Sequence, residues 1–416
     1  MATASQKVLI VGGGPAGATA AYWLAQAGFH ITVAERSTDK FAYGQGIDVT
    51  GPAVQVVQKM GIYDQIKSKV TGEAGFAILN DQGKAIAILG TATNENGKGL
   101  SLTQEIEIMR GDITQILANK AKESERVTYR YGCTVSELRQ SDSHVTAVFA
   151  NTEATEDFSF VIGADGLMSR TRKMAFPPSM LESCYKGLDQ YTAFFSLPHQ
   201  PEDIPNARLQ HAVRGRAVLI RPTSLTSPSK SSCYLIDTGK LPALAKAQST
   251  EEQKTLFAQQ FQDFPGETGR RVLEGMWEAK DFYCAQTAQI KLEEWSQGRV
   301  VLVGDAAYCP SPASGMGTVL AIVGSYTLAG EIAASPQNLG AAFERYEERL
   351  RKYVEKAQYF PLGGLLLKIA NPQGWVGIQA IRFIFWFIAW TGVWKLFNVK
   401  QEDGGFELPD YEFERR

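Results

Sequence analysis

The stretch Lys7-Val8-Leu9-Ile10-Val11-Gly12-Gly13-Gly14-Pro15-Ala16-Gly17 joins a short apolar run to a glycine turn. A helical pattern rich in small residues follows from Ala18 to Ala27, and Gly28 closes it. His30-Ile31-Thr32-Val33-Ala34-Glu35 then reads as a second strand ending in an acid. Gly12, Gly14 and Gly17 match G-x-G-x-x-G in the context that gives the pattern meaning: strand, turn, helix, strand, carboxylate. Gly12 permits the tight turn, Gly14 admits a pyrophosphate, and Gly17 lets helix and strand pack closely, with Pro15 and Ala16 between them. Glu35 is placed to accept both ribose hydroxyls of an adenosine. An acid there favours FAD or NAD over NADP as the tightly held dinucleotide.

Two further strand ends carry an acid beside a glycine. Phe160-Val161-Ile162-Gly163-Ala164-Asp165-Gly166 runs into Ser169 and Arg172, giving D-G-x-x-S-x-x-R. Farther on, the apolar run Arg299–Val303 leads into Gly304-Asp305-Ala306-Ala307-Tyr308-Cys309-Pro310-Ser311-Pro312-Ala313-Ser314-Gly315-Met316-Gly317-Thr318. A buried strand, an acid, a Pro- and Gly-rich loop and a helix start suit a polar, partly anionic ligand.

Between the motifs, Tyr43–Pro52 is a glycine-rich loop containing Gly46, and Ala53–Met60 looks helical. Glu105–Lys120 is helical too, with Arg110 a lone cation at its entrance. Val127–Tyr131 and Val145–Phe149 alternate like exposed strands. From Cys184 to Cys284 the texture changes to short strands between Pro- and Ser-rich turns: Tyr191–Leu197, Arg208–Val213, Ala217–Arg221, Ser232–Ile236 and, just beyond, Gln286–Lys291. Thr250–Gln262 reads as a helix within this insert. The insert is expected to form an antiparallel sheet that walls a substrate. Gln190, Tyr191, Arg208, Gln210, His211, Arg214, Arg216 and Arg221 are its polar candidates, each also open to plain solvation. Ala341–Gln358 is a helix, and Tyr359–Asn398 is unusually apolar, with Trp386, Trp390 and Trp394 recurring on one helical face. Arg382 and Lys395 bracket a 12-residue uncharged run, short of the ~20 residues that span a bilayer. Three roles stay open for residues 375–397: packing on the body of the protein, lying in a membrane interface, or forming a homo-oligomer or partner surface.

The 416 residues, 44% hydrophobic and 21% charged, describe a globular chain with room for more than one domain. A net charge of −2 and the lack of any basic run argue against nucleic acid as a partner. Five widely spaced cysteines fit neither a disulfide framework nor a zinc site, and no metal is expected. The first residues lack the layout of a secretion signal, so the chain reads as cytoplasmic, with membrane association through the aromatic segment kept open.

In their order along the chain, the three motifs resemble the class A FAD-dependent monooxygenases, the para-hydroxybenzoate-hydroxylase-like family, over about residues 5 to 355. The resemblance implies an α/β fold: a Rossmann-like FAD-binding domain over 1–75, 101–183 and 285–355, an inserted antiparallel-sheet substrate domain over 76–100 and 184–284, and a helical, aromatic C-terminal segment over 356–416. It implies non-covalent, tightly bound FAD and transient NADPH or NADH. It assigns cofactor contacts to Gly12, Gly14, Pro15, Ala16, Gly17, Glu35, Arg36, Gly46, Arg110, Val135, Asp165, Gly304, Asp305, Pro312, Gly315, Met316, Gly317 and Thr318. Two departures stand out. Tyr308 replaces the family's usual His after Gly-Asp-Ala-Ala, which looks like the tetracycline-inactivating branch and its secondary-metabolism relatives; Val319 and Gly324 stand where Asn and Asp are common.

The implied chemistry is hydride transfer from NAD(P)H to FAD, addition of O2 to give a flavin C4a-hydroperoxide, and hydroxylation or epoxidation of an apolar aromatic or alkenyl secondary metabolite. No protein nucleophile is needed. If the substrate is a phenol, Tyr191, His211 and Arg221 are the candidates for a general base or catalytic polar group. The alternative is an oxidase or dehydrogenase on the same scaffold, without oxygen insertion.

Overall fold

The computed structural model describes residues 6–38, 45–90, 106–150, 153–225, 229–360, 363–393 and 405–413. Tyr43, Gly44, residues 91–105, Trp394, Lys395 and Phe397, which entered the expectations above, lie outside them. The architecture is mixed α/β with a parallel sheet, a second large sheet and a helical C-terminal region.

Lys7–Val11 is the centre of a six-stranded sheet. His30–Glu35 and Val127–Tyr131 lie on one side; Phe160–Gly163, Val300–Leu302 and the short edge Ser296–Gln297 lie on the other. All pairings but the last are parallel. The strand order reverses at Lys7–Val11, so a crevice opens at its carboxyl end, where Gly12 begins. Val127–Tyr131 is an edge strand of this sheet and does not pair with Val145–Phe149. The latter belongs to a separate three-stranded meander with Val135–Gln140 and Thr155–Phe158. Alternating side chains could not separate these two arrangements, since an edge strand is half-covered in either.

Helix Pro15–Gln26 packs against the long helix Gly317–Ala334, and both bury small and aliphatic side chains. Gly317–Ala334 is long and apolar enough to cross a membrane, but it is buried as the central helix of the core.

The second sheet has seven strands, in the order Tyr283–Ile290, Tyr185–Pro198, Lys230–Thr238, Arg216–Pro222, Asn206–Ala212, Gly75–Leu79 and Ala85–Gly90. It departs from the antiparallel expectation at one place: Asn206–Ala212 pairs in parallel with Gly75–Leu79, which arrives from a distant part of the chain. One face is covered by helices Thr250–Phe261 and Gly266–Glu278 through Phe257, Phe261, Val272 and Met276.

Helix Trp375–Thr391 packs Ile378 and Arg382 inward, with Arg382 Nη2 at 2.6 Å from Asp81 Oδ1. Its outer face exposes Trp375, Phe383, Trp386, Phe387 and Trp390. The chain then returns to the first core. Phe413 stacks on Trp23 at 4.6 Å, Tyr326 donates to the Pro409 carbonyl at 2.9 Å, and the Tyr411 hydroxyl donates to the buried Glu331 at 2.7 Å.

Candidate functional site

The three motifs meet at the carboxyl edge of the parallel sheet. Gly12 has φ +106°, and a Cβ there would lie 2.5 Å from the Ala164 carbonyl oxygen, so the first turn presses on the strand end of the second motif. A Cβ on Gly17 would collide with the Gly12 carbonyl, which accounts for the close strand–helix packing. Above Gly14 the situation is reversed: among the described residues a Cβ would meet nothing within 4 Å, and the helix that starts there has no side-chain cap. Uncapped first-turn N–H groups suit a phosphate.

The third motif is locked to the other two. The Cβ position of Gly304 is 3.0 Å from Ala16 Cβ, and Ser325 Oγ donates to the Ala16 carbonyl at 2.8 Å. The buried Arg172 guanidinium donates to the carbonyls of Ala306 at 2.7 Å and Leu167 at 2.8 Å, tying the second motif to the third. Asp165 is occupied inside its own turn, accepting from Ser169 Oγ, the N–H groups of Arg170 and Thr171, and Thr171 Oγ1. Its carboxylate therefore shapes the loop that approaches the crevice.

Asp305 opens the short helix Asp305–Tyr308, and its Oδ1 lies 3.7 Å from the Cβ position of Gly317. Burial pushes its carboxyl up and the nearby Arg110 guanidinium pulls it back. Arg110 itself is exposed, at the start of helix Arg110–Lys122. The loop between Asp305 and Gly317 carries two left-handed residues, Ser311 at φ +88° and Gly315 at φ +66°. Ser311 is held there by its Oγ accepting the Ala313 N–H at 3.2 Å, which offsets part of the strain of that conformation in a non-glycine residue. Pro312 begins a single 3-10 turn on this loop, Met316 precedes the helix, and Thr318 lies in its first turn.

Glu35 ends its strand with both carboxylate oxygens on backbone, at 2.8 Å from the N–H groups of Gly13 and Ser37. Arg36 is exposed beside it. Val135 is buried among Leu9, Ala34 and Phe149, so its side chain belongs to the core. Gly46 starts the strand Gly46–Asp48, which pairs with Glu107–Met109; its missing side chain leaves room for Glu107 Oε1, 2.5 Å from where a Cβ would stand.

The insert supplies a wall. Residues directly opposite one another across the strands share a face. Tyr283, Phe194, Tyr234 and Leu219 form one such row, with ring centroids 5.9 Å apart for Phe194–Tyr283 and 5.0 Å for Phe194–Tyr234. This row faces the cofactor half: the Tyr234 hydroxyl accepts the Gly46 N–H at 3.1 Å, and Tyr283 is electrostatically coupled to Arg110 and Asp305. The adjacent row, Tyr191, Asp237 and Arg216, faces the helices on the far side. Tyr191 thus points away from the motifs, on the face opposite Phe194 three residues along the same strand.

Most other polar candidates of the insert are engaged elsewhere. Arg208 donates to the carbonyls of Glu202 and Gly83, Gln210 to that of Pro265, and Arg214 and Arg216 bind Asp263. Gln190 is held between Thr238 and Thr287. His211 donates from Nε2 to the Ala370 carbonyl at 3.0 Å, and burial pushes its pKa down to about 4, so it anchors the C-terminal segment as a neutral ring. Arg221 alone among the three catalytic candidates reaches the seam with the cofactor half, through Glu73 and Glu107. Sequence reasoning missed Phe194, Tyr234, Tyr283, Glu73 and Glu107. Alternation in the strands carried a signal for two faces, but which of them met the motifs depended on helices packed from elsewhere in the chain.

The two departures at Tyr308 and Gly324 are one feature. Tyr308 is buried under the loop, with Trp295 packed on its ring at 4.5 Å and Tyr346 Oη 2.9 Å from its hydroxyl. A side chain at position 324 would collide with that hydroxyl. The larger ring is accommodated because the long helix has glycine beneath it.

A cleft of about 770 Å³ lined by Gln140, Arg299 and Asn338 opens at the other end of the parallel strands and touches none of the motifs.

Comparison with known proteins agrees with this geometry. The model of the family described as FAD binding domain matches residues 5–360. The chain is 46% identical to monooxygenase CTB7 of Cercospora beticola, covering 99% of each chain, and 32% identical to flavin-dependent monooxygenase eupH of a Phoma species, covering 98% of each. It superposes on the crystal structure of tetracycline destructase Tet(51) with a TM-score of 0.78 at 30% identity, over 99% of this chain and 100% of that one. The fold is also that of Klebsiella pneumoniae HpxO complexed with FAD and uric acid, at a TM-score of 0.70, 16% identity and coverage of 97% and 98%. With the glycine turn, Glu35, Asp305 and the strained loop converging on one crevice, the chain belongs to the FAD binding domain family, that of the class A flavin-dependent monooxygenases.

Proposed function

We propose that this chain uses NAD(P)H and O2 to insert one oxygen atom into an apolar aromatic or alkenyl secondary metabolite. The observation that carries the substrate class is the aromatic row Phe194, Tyr234 and Tyr283, set on the sheet face opposite the Asp305–Thr318 loop. Such a wall suits a flat, unsaturated ligand, which stacks on rings and shields the space beneath from water. The names of the fungal relatives, both monooxygenases, support the reaction class.

The residues present fit FAD. The open space above Gly14 and its uncapped helix suit the pyrophosphate, Glu35 the adenosine ribose, and Asp305 with Arg110 the middle of the molecule. The N–H groups of Gly317 and Thr318 at the helix start would meet the flavin ring, since those of Gly315 and Met316 donate within the loop to the Pro312 carbonyl and Ser314 Oγ. When bound, FAD would supply hydride acceptance from the nicotinamide and activation of O2. The chain's own tasks are to hold that ring on the loop, to favour negative charge there through the helix start at Gly317, and to close the aromatic wall over it. Among the three catalytic candidates, Arg221 is the one positioned to sense substrate or cofactor.

The test is product mass after incubation of the flavin-loaded protein with NADPH, 18O2 and candidate polyketides, terpenoids or alkaloids. Gain of one labelled oxygen, with NADPH consumption accelerated by the substrate, is the expected outcome. Loss of two hydrogens without label would instead identify an oxidase or dehydrogenase.

A further inference from the structure

Three acids face one guanidinium where the strand Gly46–Asp48 meets the second sheet. Arg221 Nε and Nη2 donate to the two oxygens of Glu73 at 2.9 and 3.0 Å, and Nη2 lies 2.5 Å from Glu107 Oε1. Asp48 and Glu107 stand directly opposite each other in the antiparallel pair Gly46–Asp48 and Glu107–Met109. The Tyr234 hydroxyl, on the Gly46 N–H, completes the surroundings. Arg221, Glu73, Asp48 and Tyr234 are thus the charged and titratable groups that face Glu107.

Glu107 is the odd member. Its side chain is 5% exposed, yet its Oε2 has no hydrogen-bond partner among the described residues. One guanidinium cannot balance three carboxylates withdrawn from water. Burial pushes the Glu107 carboxyl up to about 7; the pull of Arg221 opposes this, and Glu73 and Asp48 add to it. Asp48 is pushed up for the same first reason. The cluster also touches the cofactor loop, since Asp48 Oδ2 lies 3.7 Å from the Cβ position of Gly315.

We infer that Glu107 is a positioning residue: with Arg221 it clamps the Gly46–Asp48 strand against the Gly315 loop, and one proton gained or lost at its carboxyl tightens or loosens that clamp. With the proton on the partnerless Oε2, Oε1 still accepts from Arg221 and only Asp48 is free to be charged across the strand pair. With it off, two like charges stand directly opposite, an arrangement that weakens strand pairing. The link to FAD rests on the reading of that loop as the flavin floor.

The test uses the full-length protein labelled with 13C at the glutamate carboxyls. One resonance is expected to titrate near neutral pH and to be missing in Glu107→Gln. Amide protection at Gly46–Asp48 should be higher at about pH 6 than at about pH 8 in the native protein, and equal at both in Glu107→Gln. FAD should bind up to about fivefold more tightly at the lower pH, the reach of one like-charged cross-strand pair, and with no such dependence in the variant. Glu73→Gln removes one neighbouring charge and should lower the midpoint of that resonance, an assignment that holds even if Glu107→Gln folds poorly. Titration of every glutamate in the ordinary acidic range overturns the inference, as does a Glu107→Gln protein that keeps the native pH dependence of protection. Failure to bind FAD at any pH would sink the reading of the loop, while the resonance and the exchange data would still decide the role of Glu107.

Discussion

Two buried polar clusters flank the same loop, and they are built on opposite principles. Below it, Tyr308, Tyr346 and Trp295 form a neutral floor: rings in contact, one hydroxyl against another, and glycine at 324 to make room. Above it, Arg221, Glu73, Glu107 and Asp48 form a charged seam. The floor is fixed by shape and has nothing to titrate in the physiological range, since burial pushes both phenols up. The seam is fixed by charge balance and responds to a single proton. A loop held this way has a rigid underside and an adjustable upper edge.

The largest effect is expected from breaking the seam. Arg221→Met would leave Glu73 and Glu107 buried without their cation, a loss of about 3–5 kcal/mol in unfolding free energy by urea titration. A loss under about 1 kcal/mol would show that water, and not Arg221, balances the acids. Between the two clusters sits Asp305. Asp305→Ala should weaken FAD retention by about 1.5–3 kcal/mol, the range for a hydrogen bond to a charged group. A purified variant with full yellow colour would remove Asp305 from the cofactor site.

The floor should fail by crowding. Gly324→Ala places a methyl group against the Tyr308 hydroxyl and should cost about 1–3 kcal/mol, and Tyr308→Phe should relieve part of that cost when the two are combined. Additive effects in the double variant would show that the two departures are unrelated.

The smallest effect is the one that separates the clusters by pH. Glu107, raised to about 7, contributes stability that is fully present below the ordinary glutamate range and is lost as pH rises through about 7. Asp237, raised to about 6 by burial, acts in the same direction at the far side of the sheet. His211, lowered to about 4, does the reverse: its contribution is present above the ordinary imidazole value and is lost as pH falls through about 4. Thermal unfolding across this range should show stability declining on the alkaline side. Glu107→Gln should flatten that limb only in part, because Asp237 remains, and should leave the acid limb unchanged.

The cofactor half was legible because its signals are local. A glycine needed for a turn, an acid at a strand end and an uncapped helix lie within a few residues of one another, from Lys7 to Glu35 and from Val300 to Thr318. The substrate wall was not, because which face a strand residue takes depends on register over long distances. Tyr191 and Phe194 lie on opposite faces of one strand, and the packing of helices Thr250–Phe261 and Gly266–Glu278 decides that Tyr191 is the one turned from the crevice. Arg221 was visible as a cation but not as the partner of Glu73 and Glu107, which lie more than a hundred residues earlier in the chain. Tyr308 resisted interpretation for the same reason: its meaning lies in Gly324 and Tyr346, which meet it only after two helices have packed.

The return of residues 405–413 onto the first core bears on how the protein is made. Trp23 lies in the helix that follows the first glycine turn, among the earliest structure to leave the ribosome, yet one side of its ring is covered by Phe413. Glu331, buried on the long helix, meets Arg345 and Arg349 of the following helix first and Tyr411 only after them. Once the long helix has been made, the two helices can dock on each other before that cover arrives, leaving one side of the indole uncovered until residues 405–413 fold back. The helix that follows the first glycine turn is therefore covered by a segment made long after it.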